Sequence, residues 1–73
     1  MGLSMNLCNR LKETRLEKQL TQESLADAVG VTRQTIIAIE KEKFVPSVRL
    51  ALTLAQALNV SLEDLFWLEK PRR

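Results

Sequence analysis

The spacing of apolar residues predicts that the chain begins with an amphipathic helix. From about Asn6 to Lys18, Leu7, Leu11 and Leu16 stand among polar and charged residues, with no proline or glycine. Intervals of four and five residues place these leucines on one buried stripe of a helix. No glycine marks the end of this helix. Gln19 stands at the position where many helices end in a left-handed residue, so it is predicted to take that conformation.

A second helix is predicted to follow at once. Thr21 suits its N-cap, because a threonine hydroxyl accepts a hydrogen bond from the first turn. Leu25, Ala26 and Val29 supply an inward apolar face. Gly30 is predicted to end this helix, because glycine accepts the positive φ of a sharp reversal.

A third helix is predicted between two clear boundaries. Thr32 suits its N-cap, and Ile36 and Ile39, three residues apart, are expected to face inward. The helix should end near Lys41. It cannot continue through the next loop, because Pro46 lacks a backbone N–H.

Two further helices complete the pattern. The fourth is capped by Ser47 and runs to about Leu58, and Asn59 is its predicted left-handed terminator. The fifth is short, begins after Ser61 and turns Leu65 inward. Five short helices and no strand predict an all-α fold.

Length and composition agree with a single domain. The chain has 73 residues, 45% of them apolar, which suffices for one core. We predict one domain over residues 1–73, with a core of about 7–68 and short N- and C-terminal tails. No apolar run approaches the roughly 20 residues that cross a bilayer. The single cysteine, Cys8, closes no disulfide within the chain, so a cytoplasmic location is expected.

The composition argues against an enzyme. Histidine is absent, which removes the commonest general base and the commonest metal ligand. The only glycines are Gly2 and Gly30, so there is no glycine-rich phosphate loop. Glu63 and Asp64 suit the first turn of a helix better than catalysis. No catalytic residue, metal, cofactor or small-molecule ligand is predicted.

Residues 21–43 are the most informative segment. Two short helices joined by a tight turn at Gly30 make a helix-turn-helix, in which the second helix enters the major groove of DNA. That helix opens with four side chains able to bond base edges and phosphates: Thr32, Arg33, Gln34 and Thr35. The net charge of +2 is compatible with a polyanionic partner, but it fits ordinary solvated lysines equally well.

Five segments closely resemble the Xre family, the Cro/repressor-type helix-turn-helix regulators of phages and bacteria. They are Leu20 to Ala26, Val29 to Ile36, Ile39-Glu40, Pro46-Ser47 and Leu54 to Phe66. The likeness covers roughly residues 7–68 and is greatest to short single-domain members. It implies a compact five-helix, lambda-repressor-like domain. It also implies a repressor that binds a palindromic operator in double-stranded DNA, with helix three (about residues 33–41) in the major groove.

The resemblance implies roles for individual residues. The expected base-reading residues are Arg33, Gln34, Thr35, Ile37 and Ala38. The expected phosphate-binding residues are Thr21, Gln22, Thr32, Lys41 and Lys43. Arg15 and Glu40 match an ion pair that joins helix one to helix three. Such a pair is either a partly buried bridge or a solvated surface contact, and the sequence leaves both open.

Three positions depart from the family pattern. Gln19 replaces the glycine that commonly ends helix one, and Lys41-Glu42 replaces Asn-Gly after helix three, which leaves the geometry of the end of helix three open. Ile37 occupies an outward position where relatives carry a small polar residue. It is expected either to contact thymine methyl groups or to pack under the following loop.

Selective binding is expected to need two copies of the chain, because one recognition helix makes few base contacts. A homodimer would place its recognition helices about 34–36 Å apart on DNA. Phe66, Trp67 and Leu68 form the candidate dimer interface, with Leu3 and Met5 as helpers, although Trp67 alternatively closes the core. Two other functions stay open, an antitoxin-like module that binds a partner protein and a co-regulator that no longer binds DNA.

Overall fold

The computed structural model describes residues 5–70, which form five helices and one small sheet. In chain order the elements are β1 (Asn6–Asn9), α1 (Leu11–Glu17), α2 (Gln22–Val29), α3 (Arg33–Glu40), α4 (Val48–Leu58), α5 (Leu62–Leu65) and β2 (Phe66–Glu69). Leu3, one of the expected helpers at the dimer interface, lies outside the described residues.

The sheet corrects the prediction of an all-α fold and of a helix that starts near Asn6. β1 pairs antiparallel with β2, so that Asn6 lies opposite Glu69 and Asn9 opposite Phe66. α1 begins only at Leu11, whose N–H donates to Asn9 Oδ1 at 3.0 Å. The pairing joins opposite ends of the chain, and local sequence patterns do not reveal such contacts.

The first helix is shorter than predicted, and the last is a single turn. Leu16 is 55% exposed, so the predicted buried stripe is wrong at this position. With the helix starting at Leu11, the buried positions are Leu11, Thr14 and Arg15, at the spacing of one helical face. The last helix ends at Leu65. Phe66 and Trp67, which follow it, pair with β1 in extended backbone.

Hydroxyl side chains begin four helices, as predicted. Thr21, Thr32, Ser47 and Ser61 each accept a hydrogen bond from the backbone N–H three residues later. At α2 the cap is reciprocal, because Ser24 Oγ accepts the N–H of Thr21 at 2.9 Å. These caps satisfy backbone donors that have no partner within the helix.

The first four helices each end in a left-handed turn. The residues with positive φ are Gln19 (61°), Gly30 (78°), Glu42 (60°) and Asn59 (58°). The following N–H then bonds back to a carbonyl in the last turn, as from Lys43 N to Ala38 O at 2.8 Å. The left-handed predictions for Gln19, Gly30 and Asn59 are confirmed. Glu42 makes the same turn after α3 without glycine.

One apolar core lies between the helices. Its largest fully buried side chains are Leu11, Leu25, Ile36, Ile39, Leu54, Leu58 and Leu65. Ala26 is 1% exposed and lies in the same cluster, and α2 packs against both α3 and α4. The core therefore fixes α2 and α3 relative to each other and leaves the start of α3 at the surface.

Candidate nucleic-acid interface

The first turn of α3 presents two exposed polar side chains. Arg33 and Gln34 follow the Thr32 cap directly and are both exposed. On the other side of the helix, Ile36 and Ile39 are 0% and 1% exposed. These two isoleucines hold α3 against the core, so that Arg33 and Gln34 point away from it.

A chain of side-chain hydrogen bonds connects Arg33 to the interior. Arg33 Nε donates to Gln22 Oε1 at 3.4 Å, and Gln22 Nε2 donates to Glu40 Oε1 at 3.2 Å. Glu40 Oε2 accepts from Arg15 Nε at 2.7 Å. The chain joins α1, the start of α2 and both ends of α3. By restricting the Arg33 rotamer, it lowers the entropy lost when this side chain binds a ligand.

The Arg15–Glu40 ion pair is a buried bridge rather than a surface contact. Its side chains are 7% and 5% exposed. Arg15 Nη1 also donates to Leu20 O at 2.9 Å. Among residues 5–70, no buried side-chain nitrogen or oxygen lacks a hydrogen-bond partner. A buried charge is tolerated when its hydrogen-bonding groups are all paired. The Arg15–Glu40 pair also connects α1 to the end of α3.

The N-terminus of α2 offers main-chain donors. The Thr21 hydroxyl accepts the N–H of Ser24 at 2.9 Å, and the Gln22 side chain is held between Arg33 and Glu40. The N–H groups of Gln22 and Glu23 belong to the first turn, where helical geometry provides no acceptor. Such groups bind anions, and the helix dipole favours negative charge beside them.

The middle of α3 is less exposed than its start. Thr35, Ile37 and Ala38 are half-buried, so Ile37 is not the fully outward residue that its position implied. Thr35 Oγ1 lies 3.1 Å from Thr32 Oγ1, and the N–H of Thr35 donates to the same Thr32 oxygen at 3.3 Å. Both hydroxyls are therefore engaged at the start of the helix.

Two exposed lysines follow α3. The N–H groups of Glu42 and Lys43 bond back to Ile39 O at 3.0 Å and to Ala38 O at 2.8 Å. Those donors therefore close the helix. The exposed side chains of Lys41 and Lys43 are the groups that this loop can offer to an anion.

Asn9 is a structural residue that the sequence analysis missed. Its Nδ2 donates to Ile39 O, in the last turn of α3, at 2.9 Å, while its Oδ1 accepts the N–H of Leu11, the first residue of α1, at 3.0 Å. An asparagine side chain that bonds the backbone two residues later is a common local turn, so the contact with Leu11 could have been predicted from the sequence. The contact with Ile39 joins residues 30 positions apart and has no local signal.

The candidate dimer residues differ in accessibility. Phe66 is 8% exposed and belongs to the core, which corrects its assignment to an interface. Trp67 is half-buried, with its Nε1 donating to Glu69 Oε2 at 3.0 Å and with Arg10 over its ring at 5.2 Å. Leu68 is 58% exposed. Of the three predicted residues, Leu68 presents the most apolar surface to solvent.

Residues 5–70 contain no group of three or more His, Cys, Asp or Glu side chains that could hold a metal ion. Cys8 is half-buried and is not in a disulfide. No helix in the same part of the chain has the length and apolar character needed to cross a membrane.

Comparison with known proteins places this geometry in a family. A family model described as helix-turn-helix matches residues 11–65, more than half of the chain. The chain is 50% identical over 62 residues to the uncharacterized HTH-type transcriptional regulator YgzD of Bacillus subtilis, covering 85% of this chain and 94% of that protein. It is 53% identical over 58 residues to an uncharacterized HTH-type transcriptional regulator of Methanocaldococcus jannaschii, covering 80% of this chain and 88% of that protein.

Solved structures show the same architecture. A putative DNA-binding protein from Bacteroides fragilis matches with a TM-score of 0.77 and 33% identity, over 84% of this chain and 98% of that one. The restriction-modification controller protein C.AhdI from Aeromonas hydrophila matches with a TM-score of 0.72 and 34% identity, over 75% of this chain and 80% of that one. The chain belongs to the Xre/Cro-type helix-turn-helix family and is a DNA-binding transcriptional regulator, not an enzyme.

Proposed function

We propose that the chain is a sequence-specific repressor that binds a palindromic operator as a homodimer, with α3 in the major groove. The observation that carries this proposal is the exposed pair Arg33 and Gln34 at the start of α3, with Arg33 oriented by Gln22. A helix that meets DNA at its N-terminal turn brings these two side chains to the base edges first.

Base reading is assigned mainly to this pair. The Arg33 guanidinium suits guanine O6 and N7, and the Gln34 amide suits adenine N6 and N7. Each such bidentate contact discriminates against a wrong base by about 1–3 kcal/mol. Ile37 and Ala38 lie deeper on the same helix and are assigned contacts with thymine methyl groups, with Thr35 beside them.

Phosphate binding is assigned to the two flanks of α3. On one flank are Thr21, Gln22 and Thr32, at the starts of α2 and α3, where main-chain N–H groups and helix dipoles favour an anion. On the other flank are the exposed Lys41 and Lys43. Phosphates held on both sides fix how deeply α3 enters the groove.

Selection from random duplexes tests the proposal directly. The purified chain should enrich a palindrome with half-sites about one DNA turn apart. Arg33→Ala should erase the preference at one position of each half-site. Arg49→Ala removes the same charge from the exposed start of α4 and should leave the preferred sequence unchanged. Equal enrichment of all sequences by the unaltered chain would overturn the proposal.

The salt dependence of operator binding tests the phosphate contacts separately. Each phosphate that a cation neutralises contributes about −0.9 to the slope of log K against log salt. Lys43→Ala in a dimer should therefore make the slope shallower by about 1.8, with the preferred sequence unchanged. An unchanged slope would remove Lys43 from the phosphate-binding set.

A further inference from the structure

The outer edge of β2 exposes backbone hydrogen-bonding groups. The N–H of Arg10 donates to Leu65 O at 2.9 Å, one step beyond the register that pairs Asn9 with Phe66. Antiparallel ladders alternate between hydrogen-bonded and non-hydrogen-bonded pairs. Arg10–Leu65 is a hydrogen-bonded pair. By this alternation Asn9–Phe66 and Leu7–Leu68 are non-hydrogen-bonded pairs. The N–H and C=O groups of Phe66 and Leu68 therefore point away from β1.

Only one of these two residues keeps both groups available. The N–H of Phe66 is already used, because it donates to Leu62 O at the end of α5. Among residues 5–70, no backbone bond to the N–H or C=O of Leu68 is recorded. The Leu68 side chain is also 58% exposed. An edge strand with such groups is a template for another strand.

β1 contacts the end of α3 through one side chain. The Asn9 side chain contacts Ile39 O at the end of α3. On the opposite face of β1, burial and then the carboxylates of Glu69 and Glu42 raise the pKa of the Cys8 thiol. The end of α3 therefore contacts β1 at Asn9, while the outward N–H and C=O groups of Leu68 lie on the β2 edge of the sheet.

We propose that a second copy of this chain occupies that edge, by antiparallel pairing of the two β2 strands about a two-fold axis at Leu68. The two copies would form one four-stranded sheet in the order β1–β2–β2–β1. This pairing rests on the homodimer of the proposed function and specifies its interface. It uses Trp67 and Leu68 of the predicted interface, through backbone hydrogen bonds as well as side chains.

The sequence around Leu68 is self-complementary in this register. A two-fold axis at Leu68 lets each Leu68 exchange N–H···O bonds with its copy, which requires both groups to point outward. Each exposed leucine then packs on the other. Trp67 faces Glu69 of the second copy, and the two side chains already form a hydrogen bond of 3.0 Å within one chain. No charged residue directly faces its own copy.

Disulfide trapping tests the axis. In a Cys8→Ser background, Leu68→Cys should form a covalent dimer on mild oxidation, because Cα atoms in a hydrogen-bonded pair lie about 5.5 Å apart, within the range for a disulfide. The matched control is Leu52→Cys in the same background, because Leu52 is 50% exposed on α4. Equal or faster crosslinking at position 52 would overturn the proposal.

Charge exchange tests the same axis without oxidation. Leu68→Lys alone and Leu68→Glu alone should both sediment as monomers, because like charges would face each other. A mixture of the two variants should recover a heterodimer. Failure of the mixture to dimerise, with both variants folded by circular dichroism, would overturn the proposal.

A proline substitution tests the backbone contribution. Leu68→Pro removes an N–H that the chain itself does not use, and edge strands accept proline at such positions. The dimer loses two hydrogen bonds, so its dissociation constant should rise about 30-fold. An unchanged dissociation constant would contradict the pairing. All three assays omit DNA. If the disulfide dimer forms but the chain fails to bind an operator, the result counts against the proposed function and not against the β2 pairing.

Discussion

Breaking the buried Arg15–Glu40 pair should destabilise the fold more when one partner is removed than when both are. Glu40→Leu leaves the Arg15 guanidinium buried, with only Leu20 O of its present acceptors. Arg15→Met leaves the Glu40 carboxylate with the Gln22 amide alone. Because both side chains are less than a tenth exposed, water cannot replace the lost partner without local rearrangement.

The expected loss is about 3–5 kcal/mol of unfolding free energy for either single variant. The double variant leaves neutral groups unpaired at Leu20 O and Gln22 Nε2, and should lose about 1–3 kcal/mol. For 73 residues the total stability is about 4–11 kcal/mol, so each single variant approaches the unfolding threshold. Each kcal/mol corresponds to about 4–8 °C of melting temperature at this size.

Urea unfolding followed by circular dichroism measures all three variants. Arg49→Met is the control, because Arg49 is exposed, and its stability should stay within about 0.5 kcal/mol of the unaltered chain. The decisive quantity is the loss of unfolding free energy in the double variant. If its loss equals the sum of the two single losses, the pair is not energetically coupled and the reasoning from burial is wrong.

Three further changes test the turns and the sheet. Glu42→Gly should raise the unfolding free energy measured by urea titration by about 0.5–1 kcal/mol, because it relieves a side chain on left-handed backbone. Its control, Lys41→Gly, changes a residue with right-handed backbone and should lower that free energy. Asn9→Ala should cost about 1–3 kcal/mol in the same assay, since it removes two hydrogen bonds of about 0.5–1.5 kcal/mol each, one to Ile39 O and one from Leu11 N–H. Burial and nearby carboxylates raise the pKa of the Cys8 thiol, so iodoacetamide at about pH 8.5 should alkylate it more slowly in the folded chain than in urea. Equal alkylation rates would contradict that cause.

Local chemistry made the helix-turn-helix predictable. The caps at Thr21 and Thr32 and the turn at Gly30 depend on a few neighbouring residues, so their signals are visible in the sequence. Ile36 and Ile39 then fix which side of α3 meets the core. With the core side known, the outward position of Arg33 follows from helical geometry.

Long-range contacts account for what the sequence did not predict. The segment containing Leu7 has apolar spacing compatible with a helix, but it pairs with β2 from the other end of the chain. In α1, Leu16 follows Leu11 by five residues, which places it about 140° around the helix and outside the core. The turn at Glu42 was also unforeseen in its geometry, because few glutamates adopt positive φ.

The proposed recognition helix, α3, is held at both ends by elements that continue into the rest of the molecule. At its start, Arg33 is linked through Gln22 to Glu40, and at its end Glu40 bonds to Arg15 while Ile39 O accepts from Asn9. Asn9 belongs to β1, which pairs with β2, the strand proposed to meet a second copy. Side-chain hydrogen bonds, the backbone of α3 and the β1–β2 pairing therefore connect the side chains assigned to base reading with the proposed two-fold axis. Such a path restricts the separation and tilt of two recognition helices, so less orientational entropy remains to be lost when a palindrome is bound.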